Sequence, residues 1–293
     1  MRVAVIDLGT NSTRLLVAEA AAGKSVKVLF ADLVTTRLGE QIGSGYLLKR
    51  AVDRTIPVLK RYLKTASCWR AERVAAVATS AVRGALNRVE FLEKVARETG
   101  LEVRVLTGEE EAYYGYLGVK SGLPATVNPE KAVVMDVGGG STEFSWQKDR
   151  HLFFRSVDVG AVRATEGRYA KDQIFSLLRP VLEEIRFISP GVLVGVGGTA
   201  TTLAAMDLGL KVYDPLLVHG HLLRRDQVAG LLFVLENTPL EDRRRLPGLQ
   251  PERADIIVAG VRIVLLALDG LALDTLLVSE ADLMHGIALE LSK

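Results

Sequence analysis

A short pattern occurs twice in this chain, and it constrains the fold more than any other feature. Residues 2–18 read RVAVIDLGTNSTRLLVA and residues 131–146 read KAVVMDVGGGSTEFSW. Asp7 aligns with Asp136, Gly9 with Gly138 and Ser12 with Ser141. Each copy is an apolar run, an Asp-x-Gly turn of small polar residues, and a second apolar run. Short apolar runs joined by such a turn read as buried strands of a hairpin. Gly-rich hairpins recur by chance, but matching order along the whole segment points to duplication of a larger unit.

Ser121–Pro129 holds Gly, two Pro and Asn just ahead of the second copy, which reads as a linker. Two domains are therefore expected, 1–124 and 125–293, with the last helix free to pack back on the first. Hairpins followed by alternating strands and helices indicate the α/β class. Strands are expected over 26–34, 74–78, 101–106, 152–159, 191–196 and 275–278. Helices are expected over 47–66, 173–188, 253–268 and 279–291, with Pro57 kinking the first or marking its true start. Asn87 with Glu90, and Thr107 with Glu110, have capping-box spacing, and Asp226 reads as a further helix cap. Two such domains face each other across a cleft with an Asp-Gly turn on either side.

Glycine lets a backbone come close to a phosphate, and successive backbone N–H groups in such a turn form a concave anion site. The first turn supplies Gly9, Thr10, Asn11 and Ser12; the second supplies Gly138, Gly139, Gly140 and Ser141. Asp7 and Asp136 end the strands before them. A carboxylate beside a phosphate repels it unless a cation lies between, and Mg2+ suits one or two carboxylates plus phosphate oxygens. Mn2+ stays open as the alternative ion. A tight hairpin whose Asp caps its own turn is the competing reading. A third turn, Gly197-Gly198-Thr199, lies between a strand and a helix, where N–H groups and the dipole favour anions.

Glu109, Glu110 and Glu111 open the helix that begins near Thr107. Acidic residues suit the dipole there, and a Glu near a metal also suits the task of directing water. Arg14 and Arg83 are candidate phosphate grips. His219 and His221 lack a third ligand nearby and read as loop residues. Arg243–Arg245 reads as a solvated turn.

The charge balance is 37 basic against 35 acidic residues, net +2, so bulk electrostatic binding of nucleic acid is not expected. The one cysteine, Cys68, excludes a disulfide within the chain and a Cys-based zinc site. The apolar run after Met1 is too short for a signal peptide, and 256–268 is too short to span a bilayer. A cytoplasmic protein with no membrane partner is expected.

Five motifs in order now carry a family resemblance: Asp7–Leu15, Ala78–Asn87, Gly108–Ala112, Asp136–Phe144 and Gly197–Ala200. Together they resemble the exopolyphosphatase/guanosine pentaphosphate phosphohydrolase (Ppx/GppA) family, in its short two-domain form. Arg253–Gly260 resembles a late segment of the same family. The resemblance implies the actin-like ATPase/sugar kinase/Hsp70 fold, with two duplicated ribonuclease-H-like domains. It implies hydrolysis of the terminal phosphate of polyphosphate, or of the 5′ γ-phosphate of pppGpp, with polyphosphate or guanosine penta/tetraphosphate as the bound partner. It makes Glu111 the base that activates water, Asp136 the metal-side carboxylate and Glu143 a further one. It leaves monomer and homodimer open. A small-molecule kinase or ATPase of the same fold, and a non-catalytic sensor of polyphosphate or (p)ppGpp, are the competing functions.

Overall fold

The computed structural model describes residues 1–21, 26–123 and 127–293. The boundary expected at 124/125 lies outside the described residues.

The first sheet contains β1 (Arg2–Leu8), β2 (Thr13–Ala20), β3 (Val26–Val34), β4 (Arg73–Ala78) and β5 (Val103–Val105), in the order β3-β2-β1-β4-β5. β1, β2 and β3 form an antiparallel meander, while β4 and β5 run parallel to β1. Its helices are α1 (Lys49–Cys68), α2 (Ser80–Arg83), α3 (Arg88–Thr99) and α4 (Gly108–Gly122).

The second sheet contains β6 (Ala132–Val137), β7 (Thr142–Lys148), β8 (His151–Val157), β9 (Val192–Val196), β10 (Leu222–Arg224) and β11 (Thr275–Val278). Read from one edge its order is β8-β7-β6-β9-β11-β10. Again three strands form an antiparallel meander, and two more run parallel to the first of them. The short antiparallel β10 is an added edge. The same ribonuclease-H-like order therefore occurs twice, in the actin-like arrangement that the resemblance implied. Its helices are α5 (Ala161–Glu166), α6 (Lys171–Arg186), α7 (Gly197–Asp207), α8 (Pro215–Val218), α9 (Arg225–Asn237), α10 (Leu240–Arg243), α11 (Ile257–Leu271) and α12 (Leu283–Leu291).

Two helices matter most for the cleft. On one face α4 contributes Tyr114 to a core with Val3, Val5 and Leu106; on the other, Tyr116 and Val119 pack on Val134 and Val196 of the second sheet. α12 follows the second sheet in sequence, yet Leu283, Met284, Ile287 and Ala288 join the core beneath the first. The two helices touch backbone to backbone. A Cβ on Gly286 would lie 2.0 Å from the Tyr114 carbonyl oxygen, and one on Gly118 would lie 1.9 Å from that of Asp282. Main-chain atoms cannot yield as a flexible side chain can. Gly286→Ala is therefore expected to destabilise the fold by roughly 1–3 kcal/mol, read as a lower urea midpoint at unchanged slope.

Several local expectations need correction. α1 starts at Lys49 and continues through Pro57, which lies on an exposed face together with Asp53, the residue whose carbonyl the proline leaves without a helical donor. Thr107 and Glu110 do form a capping box. Asn87 does not cap with its side chain; instead Oδ1 accepts from the Leu47 N–H at 2.9 Å and Nδ2 donates to the Leu47 carbonyl at 3.0 Å. Asp226 sits inside the first turn of α9, after an Arg224 cap. α11 starts at Ile257, and Pro251–Arg253 is a separate tight turn. The last helix starts at Leu283, capped by Asp282.

Candidate functional site

The two Asp-Gly hairpins have one geometry. In the first, the Gly9 N–H donates to the Ser12 carbonyl at 3.0 Å; in the second, Gly138 donates to Ser141 at 3.0 Å. Side chains are absent from the second turn because it is crowded. A Cβ on Gly139 would lie 2.8 Å from Thr10 Cβ, and one on Gly140 would lie 2.5 Å from Ser80 Oγ. The turns thus meet across one cleft, and residues 9–12, 138–141 and 197–199 all line it.

Duplication has placed unlike residues at the matching register. Arg14 pairs across the first hairpin with Asp7, whereas Glu143 pairs across the second with Asp136. Arg14 donates from Nε at 2.9 Å and Nη2 at 2.7 Å, both to Asp7 Oδ2, and from Nη1 to Asp282 Oδ2. Asp7 is 4% exposed, and its Oδ1 is buried without a partner among the described residues. Burial pushes the Asp7 carboxyl up, and Arg14 only partly opposes it. Asp136 is pushed up to about 7, by burial first and then by the Glu143 charge. Glu143 is also raised by burial, against hydrogen bonds from Ser141 and Ser156; Ser156 Oγ stands 2.7 Å from Glu143 Oε1.

The third turn closes the floor. Gly197 has φ 74°, and a Cβ there would lie 2.4 Å from Asp136 Oδ1, so glycine is required on both counts. At Gly198 a Cβ would lie 1.9 Å from Arg253 Nη1. The Arg253 guanidinium therefore lies flat on the α7 N-terminus, oriented by its Nε donating to Gln250 Oε1 at 3.1 Å. Burial, with Arg14 nearby, pulls Arg253 down to about 10, so it remains a cation at neutral pH.

Glu111 comes from the first turn of α4 and reaches the cleft with its side chain 10% exposed. It pairs with Arg83, whose Nη1 also donates to the Leu106 carbonyl at 3.0 Å. Burial and the Glu143 charge raise the Glu111 carboxyl well above its ordinary value, outweighing Arg83. Glu110 is used elsewhere, in its capping box and an ion pair with Arg104.

The arrangement is a cleft lined by the three glycine turns together with the carboxylates of Asp7, Glu111, Asp136 and Glu143 and the guanidinium groups of Arg14 and Arg253. Comparison with known proteins identifies its lineage. The sequence model of the Ppx/GppA phosphatase family matches residues 16–293. The chain belongs to that family. It is 33% identical over 323 residues to exopolyphosphatase 2 of Mycobacterium tuberculosis, covering 99% of this chain and 98% of that one. It is 32% identical over 311 residues to a bifunctional 3-dehydroquinate synthase/phosphatase of Fusobacterium nucleatum, covering 98% of this chain but 46% of that longer protein. Among solved structures, the Ppx/GppA family member of Aquifex aeolicus superimposes with a TM-score of 0.80 at 36% identity, covering 99% of this chain and 97% of that one.

Against this family's motifs, the structure brings nearly all the sequence candidates together. Asp7, Arg14, Glu111, Asp136 and Glu143 line the same cleft as the three turns. Arg83 does not line the cleft; its Nη1 pairs with Glu111 and also donates to the Leu106 carbonyl. Among the described residues no three His, Cys, Asp or Glu side chains stand close enough to hold a metal ion unaided. His221 Nε2 lies 2.8 Å from Asp207, and His219 Nε2 lies 3.1 Å from the Gly122 carbonyl. No described helix is long and apolar enough to cross a membrane. Two residues of this region, Arg253 and Asp282, are not among the sequence candidates for the site, although Arg253 opens the late segment that resembles the family. Pro251 opening a turn was the one signal that Arg253 precedes its helix.

Proposed function

We propose that this chain hydrolyses a terminal phosphoanhydride, releasing phosphate from inorganic polyphosphate or from the 5′ end of pppGpp. The observation that carries the reading is the contact of the two duplicated turns around a cleft that also holds Glu111. The exopolyphosphatase relatives support it.

The terminal phosphate sits between the turns, taking hydrogen bonds from their N–H groups and from the α7 N-terminus. Arg253 balances its charge, since Arg14 is already held by Asp7 and Asp282. Glu111 accepts a proton from water as the water oxygen attacks the terminal phosphorus. The bond to the bridging oxygen breaks, and the shortened chain leaves with the electron pair. Arg83 fixes the Glu111 carboxyl.

The donor set fits a divalent ion: Asp7 Oδ1 is a buried oxygen without a partner among the described residues, and Asp136 and Glu143 line the same cleft. Asp136 and Asp7, with Glu143 beside them, would hold Mg2+ or Mn2+. Among the described residues no three such side chains stand close enough to hold an ion unaided, so phosphate oxygens and water would complete its shell. When bound, the ion neutralises charge developing on the phosphoryl oxygens.

Phosphate release measured side by side from long-chain polyphosphate, tripolyphosphate, pppGpp and ATP, with and without Mg2+, tests the reading. Release from none of them, with tight binding, would leave a sensor; phosphate passing to an added alcohol would leave a kinase. The pH profile gives a second check. Asp136 is pushed up to about 7, so its ionised form is lost as pH falls through neutrality, and Glu111, raised above its ordinary value, is protonated at a higher pH than a free carboxylate. For kcat/KM, an acid limb near pH 7 is expected, falling about tenfold per pH unit below it. A flat profile down to pH 5 would exclude these groups as the ones that must be ionised.

A further inference from the structure

Asp282 divides its two oxygens between two tasks. Oδ1 accepts from the Met284 N–H at 3.0 Å and caps α12, while Oδ2 takes Arg14 Nη1. The other edge of Arg14 grips Asp7 Oδ2, so one guanidinium is pinned between two buried carboxylates. That grip leaves Asp7 Oδ1 as the oxygen without a partner. The Asp282 carbonyl meanwhile packs where a Cβ on Gly118 would be, on α4, the helix that carries Glu111. Burial alone pushes the Asp282 carboxyl up, but Arg14 and His285 outweigh it and hold it below the usual range.

We propose that Asp282 is a positioning residue: it clamps Arg14 so that Asp7 presents Oδ1 to the cleft, and it ties that carboxylate to the helix bearing Glu111. Asp282 touches no phosphate; it acts through Arg14. The clamp joins the second hydrogen-bonding face of Arg14, from the first sheet, to a residue that arrives at the end of the second. It rests on the hydrolase reading above for its effect on turnover, though not for its effect on geometry.

D282N separates this role from simple capping. Asn has one acceptor oxygen. It keeps the α12 cap, since Asn is among the best N-cap residues, and it turns an NH2 donor toward the Arg14 donors. In the full chain, D282N is expected to keep its thermal midpoint within a few degrees while kcat on tripolyphosphate falls on the order of 10–10²-fold, with KM within about threefold. A crystal structure of D282N should show Arg14 turned away and Asp7 rotated. In the R14A background, D282N should cost nothing further in kcat, because the residue it acts through is gone. Asp7 unmoved in the D282N structure overturns the clamp whatever the activity. Asp7 moved with wild-type kcat overturns its part in turnover, and an undiminished loss in the R14A background overturns its route through Arg14. A wild-type chain that releases no phosphate defeats the hydrolase reading instead, and the crystal comparison then decides the clamp alone.

Discussion

Glu111→Gln lowers kcat for phosphate release on the order of 10²–10⁴-fold and leaves KM unchanged or slightly lower. The substitution keeps the volume of the side chain and an oxygen to accept from Arg83, so the N-terminus of α4 stays in place. What it removes is the capacity to take a proton from water. It also removes a negative charge from a cleft that already holds Asp7, Asp136 and Glu143, which favours an anionic substrate in the ground state. A loss confined to kcat therefore separates proton transfer from binding. Steady-state phosphate release from tripolyphosphate, with the unfolding midpoint measured in parallel, is the check. Near-wild-type kcat in a folded protein would sink the assignment of Glu111.

The motifs that were legible in the sequence are the ones whose geometry is set within a few residues. Asp7–Ser12 and Asp136–Ser141 are strand, turn and strand in immediate succession, and the Gly9–Ser12 and Gly138–Ser141 hydrogen bonds span three residues. Thr107 and Glu110 form their capping box within one helical turn, and the next residue, Glu111, is the member of the acidic run that lines the cleft. The failures are non-local. Asn87 has the right spacing for a cap, but Leu47, forty residues away in the chain, takes its side chain through both backbone groups. Arg83 reads as a free cation until α4 brings Glu111 and the preceding strand brings the Leu106 carbonyl within reach. Pro57 reads as a kink or as the true start of its helix, but α1 starts about two turns earlier, at Lys49, and places the proline on an exposed face. The duplicated sheet order follows from twin hairpins. The return of α12 beneath the first sheet follows from Gly118 and Gly286, two glycines that have no local purpose.

Arg253 is the most consequential residue that spacing did not reveal, and its removal is the other large effect expected. Arg253→Ala should lower kcat/KM by about 10²–10³-fold, with a rise in KM that Glu111→Gln does not share. The reason is the charge balance of the cleft. Arg14 is committed to Asp7 and Asp282, and Arg83 is committed to Glu111. Among the described residues Arg253 has no carboxylate within ion-pair distance, so its charge is the one left to meet an incoming phosphate chain. Its plane is fixed by Gln250 on one edge and the bare Gly198 backbone beneath, which places a forked donor beside the α7 N-terminus. A lysine carries the charge without the fork, so Arg253→Lys should recover part of the binding and little of the turnover. Lys restoring full kcat/KM would reduce the residue to a point charge. Ala within a few-fold of wild type would mean that the turns and helix N-termini hold the phosphate unaided.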